Sequence, residues 1–307
     1  MLQLVDILLV RVVYMLKIRK NEIQQYLFLL PVFIVVLVIF AYPYIRNLIY
    51  SFYDISFGGA ESNYIGLKNY TYLLSSGFFW DSLGKSLYWT FGNLIIQLIV
   101  PLFLAILLNI KMKGIHFARS LVMLPWIAPT VAVAVCMRWM LLPRIGIINA
   151  FLSSIGLMEK QIHFLGNNTT AMPALILLNS WKFLPFGTLM ILAALQAIPV
   201  SVFEAAEVDG ATGFQKFRFV TFPLLGSMIW FVGFLAFAWN FNTFDFIWLT
   251  TQGGPGTATQ TLPVLIYRTA FKTFRLGEAS AVTVFIGIFL IILGFFYFSY
   301  LTPKERQ

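Results

Sequence analysis

Six apolar stretches leave this chain few ways to fold. They run at about Tyr26–Tyr50, Leu87–Leu108, Leu121–Leu142, Met172–Leu195, Leu224–Leu249 and Ala279–Leu301. Each can cross a bilayer, whose hydrocarbon core takes roughly 20 helical residues. A lipid-embedded segment must satisfy its own backbone polar groups, so helices are the expected form. Composition agrees: 11% of residues are charged and 60% hydrophobic, where soluble domains are roughly 25% charged. The expected fold class is an all-α membrane protein with six transmembrane helices. Its organisation would be an interfacial segment at 1–25, a transmembrane domain at 26–302 and a charged tail at 303–307.

Residues 1–24 mix Leu2, Val5, Leu8, Leu9, Val12, Val13 and Leu16 with Arg11, Lys17, Arg19 and Lys20, which predicts an amphipathic helix lying on the membrane. A cleaved signal peptide fits less well, because the charges follow the apolar part and no small-residue cleavage site is evident. Pro125 and Pro129 lie inside the third stretch, where proline often marks a kink. Polar loops are expected at 51–85 and 143–170, and a turn-rich connection at Thr251 to Thr261.

Six crossings return the chain to its starting side. If that side is cytoplasmic, the inner segments hold Arg11, Lys17, Arg19, Lys20, Lys111, Lys113, Arg119, Lys216, Arg218, Lys304 and Arg306. The outer segments hold Lys68, Lys85, Arg144, Lys160, Arg268, Lys272 and Arg275, which makes 11 against 7 although the outer loops are longer. The excess of Lys and Arg inside favours cytoplasmic termini. It also accounts for the net charge of +9 without a nucleic-acid partner.

No set of acid, base, nucleophile and metal ligands converges, so the chain is not expected to be an enzyme or to hold a metal or cofactor. His116 and His163 fall on opposite sides of the membrane, and the single Cys136 excludes a disulfide framework. Gly253-Gly254-Pro255-Gly256 lacks the Gly-Lys-Ser/Thr of a phosphate-binding loop and reads as a turn.

Polar residues inside spans are costly and point to function. Asn179, Ser180, Trp181 and Lys182 occupy the fourth span; Trp239, Asn240, Asn242, Thr243 and Asp245 occupy the fifth. Asn can bond sugar hydroxyls and Trp or Phe can stack on ring faces, although interhelical hydrogen bonding would also explain each Asn. Asp245, near the outer end of its span, reads as a structural ion or hydrogen-bond partner. Lys182 could pair with an acid of a partner subunit, reach for the outer face, or meet a carboxylate or phosphate on an acidic substrate, with Arg138 adding to such a field.

Between the fourth and fifth spans stands a polar island, Glu204-Ala205-Ala206-Glu207-Val208-Asp209-Gly210, running on to Val220-Thr221-Phe222-Pro223. It reads as a short helix, a glycine break and a second helical start. The Glu-Ala-Ala…Gly…apolar-x-apolar-Pro spacing resembles the signature loop of permease subunits of bacterial ABC importers, with Val220 for Ile and Phe222 for Leu as apolar departures. Gly66-Leu67-Lys68-Asn69-Tyr70, Asn240 to Asp245, Leu249 to Pro255, Ile266 to Phe271 and Gly277 to Ala281 resemble the maltose-type carbohydrate branch. The likeness covers about 26–302 and is most specific in the last 130 or so residues.

The resemblance implies a type I importer permease fold in the bacterial cytoplasmic (inner) membrane. The loop at 196–223, with Glu204, Ala205, Ala206, Asp209 and Gly210, would be the coupling helix that docks on an ATPase. The substrate cavity would be lined by Asn179, Lys182, Phe183, Phe186, Ala236, Trp239, Asn240 and Thr243. The partners implied are a second homologous permease, two ATPase subunits that carry ATP and Mg, and an external solute-binding protein that delivers a carbohydrate. Its docking would fall to the outer loops at 51–85, 143–170 and 250–278. A permease for glycerol phosphate is the alternative. An ion-coupled carrier is a weaker rival, since Asp245 is the one membrane carboxylate available and no internal repeat is evident.

Overall fold

A computed structural model describes residues 20–55, 62–110, 112–157 and 160–301. Most of the surface helix expected at 1–24, and the tail at 303–307, lie outside the described residues. The chain enters through α1 (Lys20–Val35), a π-helical stretch at Val36–Ala41 and α2 (Tyr42–Tyr50). A short antiparallel ladder follows, with β1 (Tyr53–Asp54) against β2 (Asn63–Tyr64). Next come α3 (Lys68–Ser75), the long α4 (Gly77–Leu108), α5 (Ile115–Ile127), α6 (Thr130–Met140) and α7 (Ile147–Ser154). The helix α8 (Ala171–Ala197) leads into α9 (Val200–Val208), α10 (Gly213–Lys216), a π-helical turn at Phe217–Thr221, α11 (Phe222–Leu224) and α12 (Gly226–Phe241). The chain closes with α13 (Asp245–Thr250), α14 (Leu262–Phe271), α15 (Leu276–Phe296) and a π-helical stretch at Tyr297–Leu301.

Six spans result, and two of them are bent. Leu27–Tyr50, Gly77–Leu108, Ala171–Ala197 and Leu276–Ser299 are long apolar helices. The third span is α5 and α6, which meet at 92°, and the fifth follows a 62° bend between Gly213–Leu224 and Gly226–Phe241. The third-span break has a local cause. Ala128 precedes Pro129 and is extended (φ −64°, ψ 132°), the conformation that a following proline imposes.

Two expectations on span boundaries are corrected. The second span begins at Gly77, so much of the loop expected at 51–85 is helix, including Asp81 and Lys85. The fifth span stops at Phe241 instead of Leu249, because the polar run at Asn242–Phe244 interrupts the helix before α13. The connection at 251–261 folds inward: Thr259, Gln260 and Thr261 are buried. Ser82 and Ser86 of α4 hold it, Ser82 accepting from Gln260 at 3.2 Å and Ser86 from the Leu262 amide at 2.7 Å.

Packing centres on α4 and α8, which run against each other with α12 alongside. Small residues bring the first two together: a side chain at Gly92 would strike Ile176, and one at Gly187 would crowd Pro101, the close approach that membrane helix pairs use. One apolar core joins Trp89, Met172, Leu175, Ile176 and Phe246. Another joins Ala105, Leu108, Ile191, Leu192 and Leu225. Between them, along α4 and α8, lies a polar layer. A third core ties α15 to α3, α4, α12 and α14. The first span touches the rest through α2 against α15, and none of its side chains from Leu27 to Tyr50 is buried.

Candidate functional site

The polar layer is a network of amides. Asn179 on α8 donates to Asn93 Oδ1 on α4 (2.8 Å) and to Asn240 Oδ1 on α12 (3.0 Å). Asn240 donates to Gln97 Oε1 (2.8 Å) and to the Ala236 carbonyl (2.7 Å). Ser180 donates to Asn93 Oδ1 (3.0 Å), and the Trp89 indole to the Asn240 carbonyl (3.0 Å). All of these residues are buried. Asn179, Asn240 and Ala236, three of the residues expected to line a cavity, lie at the seam of three helices. In an apolar interior an unmet amide is costly; here each side chain finds a partner on a neighbouring span, which locks the rotation of α8 and α12, although Asn179 Oδ1 itself is left without a donor.

Locked in this way, α8 and α12 turn aromatic rings to their open side. Trp126, at the end of α5, meets Phe183 (5.5 Å between centroids) and stacks on Phe186 (5.4 Å). Trp239 contacts Trp126 (6.0 Å), Phe183 (6.1 Å) and Phe186 (4.8 Å). Both tryptophans are exposed and both phenylalanines half-buried, so the four rings form a platform about midway along α8. Thr243, half-buried just past α12, donates to the Trp239 carbonyl at 2.8 Å.

Lys182 sits behind this platform and is 8% exposed. Its ammonium donates to the Ala128 carbonyl at 3.2 Å and lies 5.8 Å from the Phe183 ring centroid. Ala128 caps α5 at the break, where carbonyls lack helical donors and carry the negative end of the helix dipole. Lys182 thus supplies across the bundle the donor that the break in the helix leaves the Ala128 carbonyl without. Among the described residues it pairs with no acid. Arg138 is elsewhere, lining a separate cavity of about 350 Å³ with His163, Phe164 and Thr251. Asp245 is exposed in the first turn of α13 and forms no ion pair among the described residues.

The loop that follows α8 has a well-defined build. α9 spans Val200–Val208, four residues longer at its start than expected. It ends in a Schellman motif: the Ala211 amide reaches the Ala206 carbonyl (2.9 Å) and the Gly210 amide the Glu207 carbonyl (3.0 Å). Gly210 has φ +75°, the left-handed turn this motif needs and glycine adopts freely. Thr212 and Gln215 form a capping box at α10. Lys216 donates to Glu207 at 2.8 Å, which holds the Glu207 carboxyl below its usual range. Ala206 is buried, while Glu204, Ala205 and Asp209 are exposed. Val208 and Phe214 stand out at 88% and 73% exposure.

At the opposite end Asn69 donates to the Ser51 and Tyr53 carbonyls, both at 2.9 Å. The Leu276 amide reaches the Ile55 carbonyl at 2.8 Å. A side chain at Gly277 would collide with the Tyr53 carbonyl. Two of the sequence patterns, at 66–70 and 277–281, thus meet in one clamp that ties the first span to the sixth.

Residues 97–307 match the family described as binding-protein-dependent transport system inner membrane component. The chain belongs to this family. It is 34% identical to the trehalose/maltose transport system permease protein MalF of Thermococcus litoralis, over 91% of this chain and 93% of that one. It is 32% identical to the sn-glycerol-3-phosphate transport system permease protein UgpA of Escherichia coli O157:H7, over 94% and 97%. Among solved structures, a chain of a bacterial ABC transporter involved in the import of the acidic polysaccharide alginate superposes with a TM-score of 0.81 at 26% identity, covering 93% of this chain and 98% of that one. The permease subunit is thus a type I importer component without a catalytic role of its own.

Sequence reasoning missed several residues of this permease. Asn93 and Gln97 share a helical face at i, i+4 within an apolar run, a legible signal that was passed over. Trp126 carried a weaker one, as an aromatic next to a proline break. The exposure of Val208 and Phe214 had none beyond their place in a polar loop.

Proposed function

We propose that this permease subunit imports a saccharide, delivered by an external binding protein, across the bacterial cytoplasmic membrane. The observation that carries the reading is the platform of Trp126, Phe183, Phe186 and Trp239. It gathers three spans at mid-bundle, two of them the helices on either side of the coupling loop. Aromatic faces suit the apolar faces of sugar rings. Thr243 adds a polar edge, and Lys182 stands behind. The cargo named for two of the proteins compared above, trehalose/maltose and alginate, supports a carbohydrate class.

In this reading 26–302 is the transmembrane domain, 196–223 the coupling loop, and both termini are cytoplasmic. A second, homologous permease faces the platform. Two ATPase subunits bind ATP and Mg and receive α9 through Glu204, Ala205, Asp209, Val208 and Phe214. Gly210 shapes the loop, and Ala206 packs it back on the bundle. Closure of the ATPases on ATP moves α9. Through the amide network, α4, α8 and α12 rotate together and open the platform outward to receive the cargo. Hydrolysis returns it to face inward.

The test is uptake of labelled saccharides by the full importer in proteoliposomes. Trp126→Ala combined with Trp239→Ala should lower uptake on the order of tenfold, since two stacking surfaces are lost. Equal uptake by variant and wild type would remove the platform from the cargo path.

A further inference from the structure

Lys182 is a charge placed where charges are expensive. An ammonium has three donors. One is taken by the Ala128 carbonyl, and the Phe183 ring offers its face. Among the described residues no carboxylate joins them. The ion pairs of the described residues lie at the ends of the molecule, at Asp81–Lys85, Glu207–Lys216 and Arg275–Glu278. The helix end and the ring each carry only partial charge, so among the described residues nothing supplies a full negative charge beside this ammonium. It is also attached to both sides of the platform: its own neighbour Phe183 is one ring, and its acceptor Ala128 lies two residues beyond Trp126.

We infer that Lys182 makes the platform selective for saccharides that bear an anionic oxygen, a uronate carboxylate or a sugar phosphate. This rests on the saccharide reading above and names the substrate class of that site. In a low-dielectric interior an unpaired charge acts across the width of a ring, so Lys182 can select cargo without leaving Ala128. An anionic group on the platform supplies the compensation that the protein withholds.

The experiment is uptake by the complete importer in proteoliposomes of three probes: an oligouronate, a sugar phosphate and a neutral oligosaccharide of matched length. Lys182→Gln keeps an N–H donor for Ala128 and removes the charge; Lys182→Arg keeps both. The wild type should favour one of the anionic probes, and which one distinguishes carboxylate from phosphate. Lys182→Gln should lower the ratio of anionic to neutral uptake on the order of tenfold, and Lys182→Arg should keep it. A wild type that takes up only the neutral probe overturns this inference and leaves the saccharide reading intact. So does a Lys182→Gln importer whose ratio is unchanged, or one whose uptake of all probes falls together. No uptake of any saccharide by an assembled wild-type complex overturns both.

Discussion

Gly210 and Asn240 illustrate two ways in which one residue can matter. Gly210 touches nothing on its side-chain side, so replacing it costs only backbone strain. Gly210→Ala at φ +75° should destabilise the loop by roughly 1–2 kcal/mol, and Gly210→Asn by less, since Asn tolerates this region. The check is sugar-stimulated ATPase activity of the importer, which should fall in that order. Asn240 acts through partners. Asn240→Leu removes two donors and leaves Gln97 and Asn179 short of partners, at a cost of about 1–3 kcal/mol. Interhelical bonds in membranes run nearer 0.6 kcal/mol, so the orphaned groups dominate. Thermal unfolding of the solubilised complex should show the loss; an unshifted midpoint would mean the network is not holding the helices. Both residues were visible in the sequence, but only Gly210 could be placed. Its motif is local, whereas the partners of Asn240 depend on the rotation of α4, more than 140 residues away.

At the scale of elements, the apolar runs marked six spans because lipid thickness sets a length that sequence can show. Their bends were harder to read. Pro129 predicted a kink but not a 92° turn, since the angle also reflects the donor that Lys182 brings to Ala128. Pro129→Ala restores an amide and relaxes Ala128. Spin labels at Leu121 and Val135 should then move apart as α5 and α6 straighten; an unchanged distance would assign the bend to packing alone. The connection at 251–261 was legible as a run of turns because its Gly, Pro and Thr residues are turn formers. Its burial depends on Ser82 and Ser86, which nothing local could announce. For the loop of α9 and α10, Val208→Asp and Phe214→Asp should each release the ATPases, since apolar residues this exposed on a water-facing loop want a partner. Co-purification of the ATPases reports it.

The whole molecule reads as half of a pore. Its first span is covered on one edge only, its platform opens away from its own core, and its docking loop projects from the end of α8. In the proposed mechanism the amide network connects the last two features, so that movement of α9 becomes movement of the rings. The most direct measurement of that connection is the ATPase activity of the importer, reconstituted with its partner permease, ATPases and binding protein, with and without saccharide. The wild type should be stimulated by at least one saccharide, and the doubly substituted Trp126→Ala, Trp239→Ala importer should lose that stimulation while still holding its ATPases. Stimulation that survives loss of both rings, or a wild type that no saccharide stimulates, would contradict the account.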